Sequence, residues 1–171
     1  LRHGRAKFLL RHAFRGRRAW LCACRRPWPH FFDPFRNAVA GKKVAVIGHF
    51  PFAPKALNQA ADFYMLERSL NEGDYPDSAA EYILPECDYV FITGSAFVNK
   101  TAPRLLELSR ESFNVVLGPS TPLAPVLLED YGVSQVTGMV PTSPLAMFES
   151  LSGTDAATTM FEWGHRAELS A

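Results

Sequence analysis

The sequence is short of cysteine, short of charge and without a long apolar run. Cys22, Cys24 and Cys87 are its three cysteines in 171 residues. An odd and sparse set excludes a disulfide-stapled framework and fits a reducing, cytoplasmic setting. Cys22 and Cys24 lie one residue apart, too close for a C-x-x-C zinc knuckle, and no second pair matches them. No stretch approaches the roughly 18 apolar residues of a membrane span. Charged residues are 20% of the chain, yet hydrophobic residues are 47%, which excludes a disordered polar chain and allows a real core. There is no internal repeat and no low-complexity tract. No G-x-S-x-G elbow and no Ser-His-Asp order is present, so a serine hydrolase is not expected.

What is present is unevenly distributed. Residues 1–43 carry nine Arg and three Lys against one acid, Asp33, whereas residues 44–171 carry six basic and sixteen acidic residues. Segments of such opposite charge are read separately. Residues 1–30 have no clean period of 2 or 3.6. An Arg-rich, acid-poor start suits a transit peptide, but a transit peptide is also Ser-rich and this stretch has no Ser. Arg interleaved with Trp and Phe suits a nucleic acid or a membrane surface. The plainest expectation is a segment outside the fold. Residues 1–32 are therefore set apart as an irregular basic segment, and residues 33–171 as the folded domain. Because the chain begins at Leu1, a fragment or a processed product is expected.

From residue 42 the pattern is orderly. Apolar runs at 43–48 (KVAVIG), 62–67 (DFYMLE), 89–93 (YVFIT), 114–117 (NVVL) and, more weakly, 134–140 (SQVTGMV) read as strands. The first, third and fourth are nearly continuous, as in strands covered on both faces. Helical stretches are expected at 53–60, 78–84, 101–110, 122–130, 144–151 and, weakly, 155–163. Ser78-x-x-Glu81 has the form of a capping box. Thr121 and Pro122 suit an N-cap and a first helical residue, and Gly132 suits a stop. Strand and helix alternate, which implies βαβ units and an α/β fold: a Rossmann-like three-layer domain with a mainly parallel, five-stranded sheet.

Such sheets bind ligands beyond the carboxyl ends of their strands. That rule selects His49 and Phe50 after the first strand and Glu67 and Arg68 after the second. It selects Gly94, Ser95, Asn99, Lys100 and Thr101 after the third, and Ser120 and Thr121 after the fourth. Glu67 stands 19 residues after Gly48, where a ribose-binding acid would sit. G-x-G-x-x-G is absent, however. His49, Phe50 and Phe52 stand where small residues would admit a pyrophosphate, so no classical NAD site is expected. His49 reads equally as a metal ligand, a general base, a hydrogen-bonding group or a loop histidine packed beside Phe50 and Phe52. Glu67 and Arg68 face ligand or pair with neighbours. Asn99, Lys100 and Thr101 hold an anion at a helix start or merely cap the helix, and Ser120 and Thr121 pose the same choice. Cys87 reads as a small buried hydrophobe. Remaining metal-ligand types are Asp74, Asp88 and His165, at no recognised spacing.

The runs GKKVAVIGHFPF (41–52), MLER (65–68), EGDYPDSAAEYILPECDYVFITGSAFVNKT (72–101) and VVLGPSTPLAPVLLEDYGV (115–133) resemble a heavy-metal-chelation family first catalogued as a domain of unknown function. The likeness spans about residues 33–165. It implies a Rossmann-like half that in the family follows an enolase-like cap, with the ligand cleft between the two. Residues 1–30 do not resemble that cap. The resemblance implies binding of a divalent or heavy metal ion, or of a small metal-chelating or anionic ligand, with His49 and Glu67 as metal anchors. The alternative is an enzyme acting on a small nucleotide-like or anionic substrate in the same cleft. The expected partner is a small molecule or metal, with neither nucleic acid nor a membrane span.

Overall fold

The computed structural model describes residues 20–24, 30–153 and 160–170. Its strands are β1 (Trp20–Cys24), β2 (Lys43–Ile47), β3 (Asp62–Glu67), β4 (Tyr75–Pro76), β5 (Tyr89–Thr93), β6 (Phe113–Leu117), β7 (Gln135–Pro141) and β8 (Gly164–Ser170). They form one sheet in the order β1-β8-β7-β6-β5-β2-β3-β4. Strands β2 to β7 run parallel, and β8 runs antiparallel to both β7 and β1. The parallel part has the doubly wound order 3-2-1-4-5-6, with its direction of winding reversed between β2 and β5. This is the Rossmann-like α/β arrangement expected from the alternation.

All five expected strands are present. The sheet is wider than five because β4 and β8 give no apolar run and β1, the apolar run WLCAC, lies inside the Arg-rich segment set apart from the domain. β4 is two residues long. β8 carries His165, Arg166 and Glu168 among its seven residues. β1 lies within the Arg-rich segment and registers Trp20 to Ser170 through Cys24 to Arg166 on β8. Just downstream, a 3-10 turn at His30–Phe35 places Phe31 and Phe32 in the core at 4% and 0% exposure. Both stand before residue 33, where the sequence pattern suggested that the domain begins.

Strand alternation builds two cores. Ala45, Ile47, Val90, Ile92 and Val116 face helices α2 (Ala80–Ile83), α4 (Ala102–Leu108) and α5 (Val126–Glu129). Val44, Val46, Phe91, Val115 and Leu117 face α1 (Ala53–Ala56) and the Phe31, Phe32 and Phe35 side chains. The sheet thus has helices on one face and a phenylalanine cluster with one helix on the other. Two short helices complete the set, α3 (Ser95–Val98) and α6 (Pro144–Leu151).

Helix α6 has the bounds expected, and Ser143 Oγ accepts from Ala146 N at 3.4 Å as its cap. Two capping expectations are corrected. Ser78 falls inside a 3-10 turn (Asp77–Ala79), α2 begins after it without a side-chain cap, and Glu81 reaches across to Arg104 instead. Helix α5 begins at Val126 behind Pro125, so Thr121 is not its cap. Of the weak helix at 155–163, residues 155–159 lie outside the described residues, and Met160–Trp163 is a 3-10 turn.

Candidate functional site

The carboxyl ends of β2, β3 and β5 open into a cavity of about 600 Å³. It lies at the winding reversal, where the loops after β2 and β5 diverge and leave space between them. Of the residues singled out from the sequence, His49, Phe50, Glu67, Arg68, Ser95, Asn99, Lys100 and Thr101 line it. Its remaining wall sets apolar Ile47, Leu66, Ala80, Ala96, Leu105 and Leu108 beside polar Asp77, Ser78, Glu81, Thr93 and Arg104.

The loop after β2 makes its turn at Gly48, which holds φ +104. A Cβ there would stand 3.1 Å from Thr93 Cβ and 3.3 Å from the Phe50 ring. A side chain at 48 is thus opposed by both conformation and space. The turn sends the two following side chains to different tasks. Phe50 packs edge-on against Phe31 and Phe32 at 5.7 Å, which anchors the loop to the phenylalanine cluster. His49 turns towards the loop after β3, where its Nδ1 lies 3.0 and 3.3 Å from the two Asp74 carboxylate oxygens.

Asp74 is the residue that sequence spacing could not connect to the site. Its side chain is 1% exposed, against 33% for His49. Oδ2 accepts from Asn71 N at 3.0 Å and Asn71 Nδ2 at 3.2 Å. Burial pushes the carboxyl up, but the bonds from Asn71 and His49 outweigh burial and hold it below its ordinary value. An ionised Asp74 accepts a hydrogen bond from Nδ1–H, and in that tautomer Nε2 is left as the acceptor facing away from Asp74.

Glu67 ends β3 and ties two loops together. Oε2 accepts from His49 N at 2.8 Å and Oε1 from Arg68 N at 2.7 Å. Arg68 itself reaches Asp77 at 3.5 Å with both side chains well exposed, so the pair contributes little to stability.

On the opposite wall, Asn99 Oδ1 accepts from Thr101 N at 3.1 Å and Thr101 Oγ1 at 2.7 Å. That local ring closes the turn into α4. Between them Lys100 is held at φ +67, exposed, and forms no ion pair among the described residues. Arg104, not singled out from the sequence, lines the cavity too. It spends its charge on Glu81 at 2.8 Å and Glu107 at 2.7 Å. Only an (i, i+3) spacing hinted at the second of these pairs, and the first crosses from α2 to α4.

Gly94, Ser120 and Thr121 do not line the cavity. A Cβ at Gly94 would sit 2.5 Å from Thr121 N and 2.6 Å from Thr121 Oγ1. The two loops are in close contact, with Thr121 buried and Ser120 turned outward. Cys87 is buried as expected, donates to Ile83 O at 3.2 Å, and burial pushes its thiol up to about 11. Asp88 accepts from Lys43 N at 2.9 Å at the far end of the sheet. Among the described residues no three of His, Cys, Asp or Glu stand together as a metal site, and no helix is long and apolar enough to cross a membrane.

Residues 30–167 match the family described as "Putative heavy-metal chelation" (DUF364). A solved DUF364 protein of unknown function from Desulfitobacterium hafniense is 42% identical with a TM-score of 0.76, over 82% of this chain and 57% of that one. A second, from Pyrococcus horikoshii, has a TM-score of 0.69 at 23% identity over 77% of this chain and 55% of that one, and shows the fold alone. An uncharacterised protein of Methanocaldococcus jannaschii is 29% identical over 101 residues, 56% of this chain and 39% of the relative. The chain thus spans little more than half the length of the solved relatives and less of the curated one.

Proposed function

This chain belongs to the heavy-metal-chelation family DUF364, and we propose on that premise that its cavity binds a small metal-chelating or anionic ligand, with His49 as the anchor. One observation carries the reading. A carboxylate with a 1% exposed side chain holds Nδ1 of a histidine that lines a cavity of about 600 Å³. Metal-ligating histidines are fixed in this way, because a carboxylate on one nitrogen sets the tautomer and raises the basicity of the other.

The donor set narrows the form in which a metal fits. A closed structural site takes about four protein donors. Here His49 offers one free nitrogen, and Glu67, the other expected anchor, accepts one backbone N–H on each oxygen and keeps one acceptor site on each, which is still short of four donors. These side chains suit a metal that brings most of its ligands with it and leaves one position for Nε2. The volume supports the same reading. A water molecule's share of space is about 30 Å³, whereas pockets for organic ligands run from about 300 to 1,000 Å³.

Calorimetric titration with Ni2+ alone and with Ni2+ held by nitrilotriacetate tests the proposal. The chelate is expected to bind, and His49→Ala to abolish binding. Asp74→Asn is expected to weaken it by roughly 10–100-fold. Unchanged affinity in a folded His49→Ala protein would sink the assignment of His49.

A further inference from the structure

We infer that the organic ligand of this cavity is a ribonucleoside bearing one anionic group and held by its cis-diol at Glu67. The inference rests on the reading of the cavity as a small-ligand site and names the class of molecule that fits it.

The first support is position. Glu67 is the last residue of β3, the strand beside β2 on the far side from the winding reversal. In sheets of this order a carboxylate at that point faces the ribose hydroxyls of a bound nucleotide. The second is orientation. The N–H groups of His49 and Arg68 fix the two oxygens from behind, one each. A carboxylate has about four acceptor sites, so each oxygen keeps one for a donor from the cavity. No Lys or Arg pairs with Glu67 among the described residues. An acceptor-only group with two free sites side by side matches two adjacent hydroxyls, and it repels an anion.

The third support is the wall. Leu108, with the edges of Ile47 and Leu105, lines the cavity and offers an apolar surface to a flat base. The fourth is what the first loop refuses. His49 and Phe50 stand where a dinucleotide fingerprint has the small residues that let the backbone approach a diphosphate. Lys100 is the one lining Lys or Arg without an acidic partner among the described residues. That charge balances a single anionic group rather than a diphosphate.

Calorimetry on the full chain with the 5′-monophosphates of adenosine, guanosine, cytidine and uridine, alongside their 2′-deoxy forms, tests this. At least one ribonucleotide is expected to bind, its 2′-deoxy form at least about tenfold more weakly, because the site is built to accept from that hydroxyl. Lys100→Met is expected to weaken the monophosphate at least about tenfold and to leave the parent nucleoside unchanged. Equal binding of ribo and deoxy forms, or no binding of any, overturns the inference. If Ni2+ nitrilotriacetate still binds through His49 when no nucleotide does, the proposed function survives and only the nucleoside falls. If nucleotides bind with the expected discrimination and the chelate does not, the reverse holds.

Discussion

The two halves of the sheet's carboxyl edge are built from similar sequence and end differently. After β2 and β3 come Gly48-His49-Phe50 and Glu67-Arg68, and these face open space whose opposite wall is the Ser95–Thr101 turn after β5. After β5 and β6 come Gly94-Ser95 and Gly118-Pro119-Ser120-Thr121, and at Gly94 and Thr121 these loops pack so closely that a Cβ on Gly94 would stand 2.5 Å from Thr121 N. Both halves show glycine followed by polar residues. The difference is what each glycine is for. Gly48 makes a turn that sends His49 towards Asp74 and Phe50 into the aromatic cluster. Gly94 removes a side chain so that Thr121 can approach. A polar strand-end loop is therefore a site only where the neighbouring loop stays away.

The comparison can be broken most forcefully at the support of the open half. Phe32 is fully buried and touches the rings of Phe31, Phe50, Phe52 and Phe91. Phe32→Ala should cost about 3–5 kcal/mol, read from a urea midpoint. A much smaller loss would show that the segment before residue 33 does not carry the loop. In the closed half, Gly94→Ala should cost about 1–3 kcal/mol by overpacking, because the atoms in the way are the Thr121 backbone. A neutral result would mean that the two loops part easily and that Thr121 can reach a ligand.

A subtler difference is pH response. The Asp74 carboxyl is held below its ordinary value, so its folded form is favoured while it is ionised. That stabilisation is full above the unfolded carboxylate value of about 3.9 and is lost as pH falls through the lower folded value. Asp74→Asn should flatten the part of the acid-stability profile that Asp74 contributes below about pH 4. It should also lower stability at pH 7 by about 1–3 kcal/mol. An unchanged profile would deny that His49 and Asn71 hold an ionised carboxylate. The smallest effect belongs to Thr121→Val. Its Oγ1 is buried without a hydrogen-bond partner among the described residues, so the isostere should change the melting temperature little or raise it. A clear loss would reveal a bond at that hydroxyl and reopen Thr121 as a functional residue.

How much of this was legible beforehand follows from range. The five parallel strands were legible because burial on both faces demands continuous apolar runs, and KVAVI and YVFIT are such runs. Helix α6 was legible at its bounds, as the stretch that opens on Pro144. The caps at Ser78 and Thr121 misled. A local motif states what a residue can do, and Glu81 found a stronger partner in Arg104, twenty-three positions away. Eight of the twenty residues that line the cavity were picked out by the strand-end rule. Asp74 was not, because it is joined to His49 across 25 residues of chain, and neither was Arg104.

Sequence alone determined the layer architecture and the parallel core, since period and run length are properties of neighbouring residues. Tertiary structure decided which glycine opens a site and which closes a joint, that Phe31 and Phe32 support the loop after β2, and that Asp74 is the group holding His49. Those outcomes depend on distances between segments far apart in the chain. They are set by how the sheet orders its strands, which no local pattern encodes.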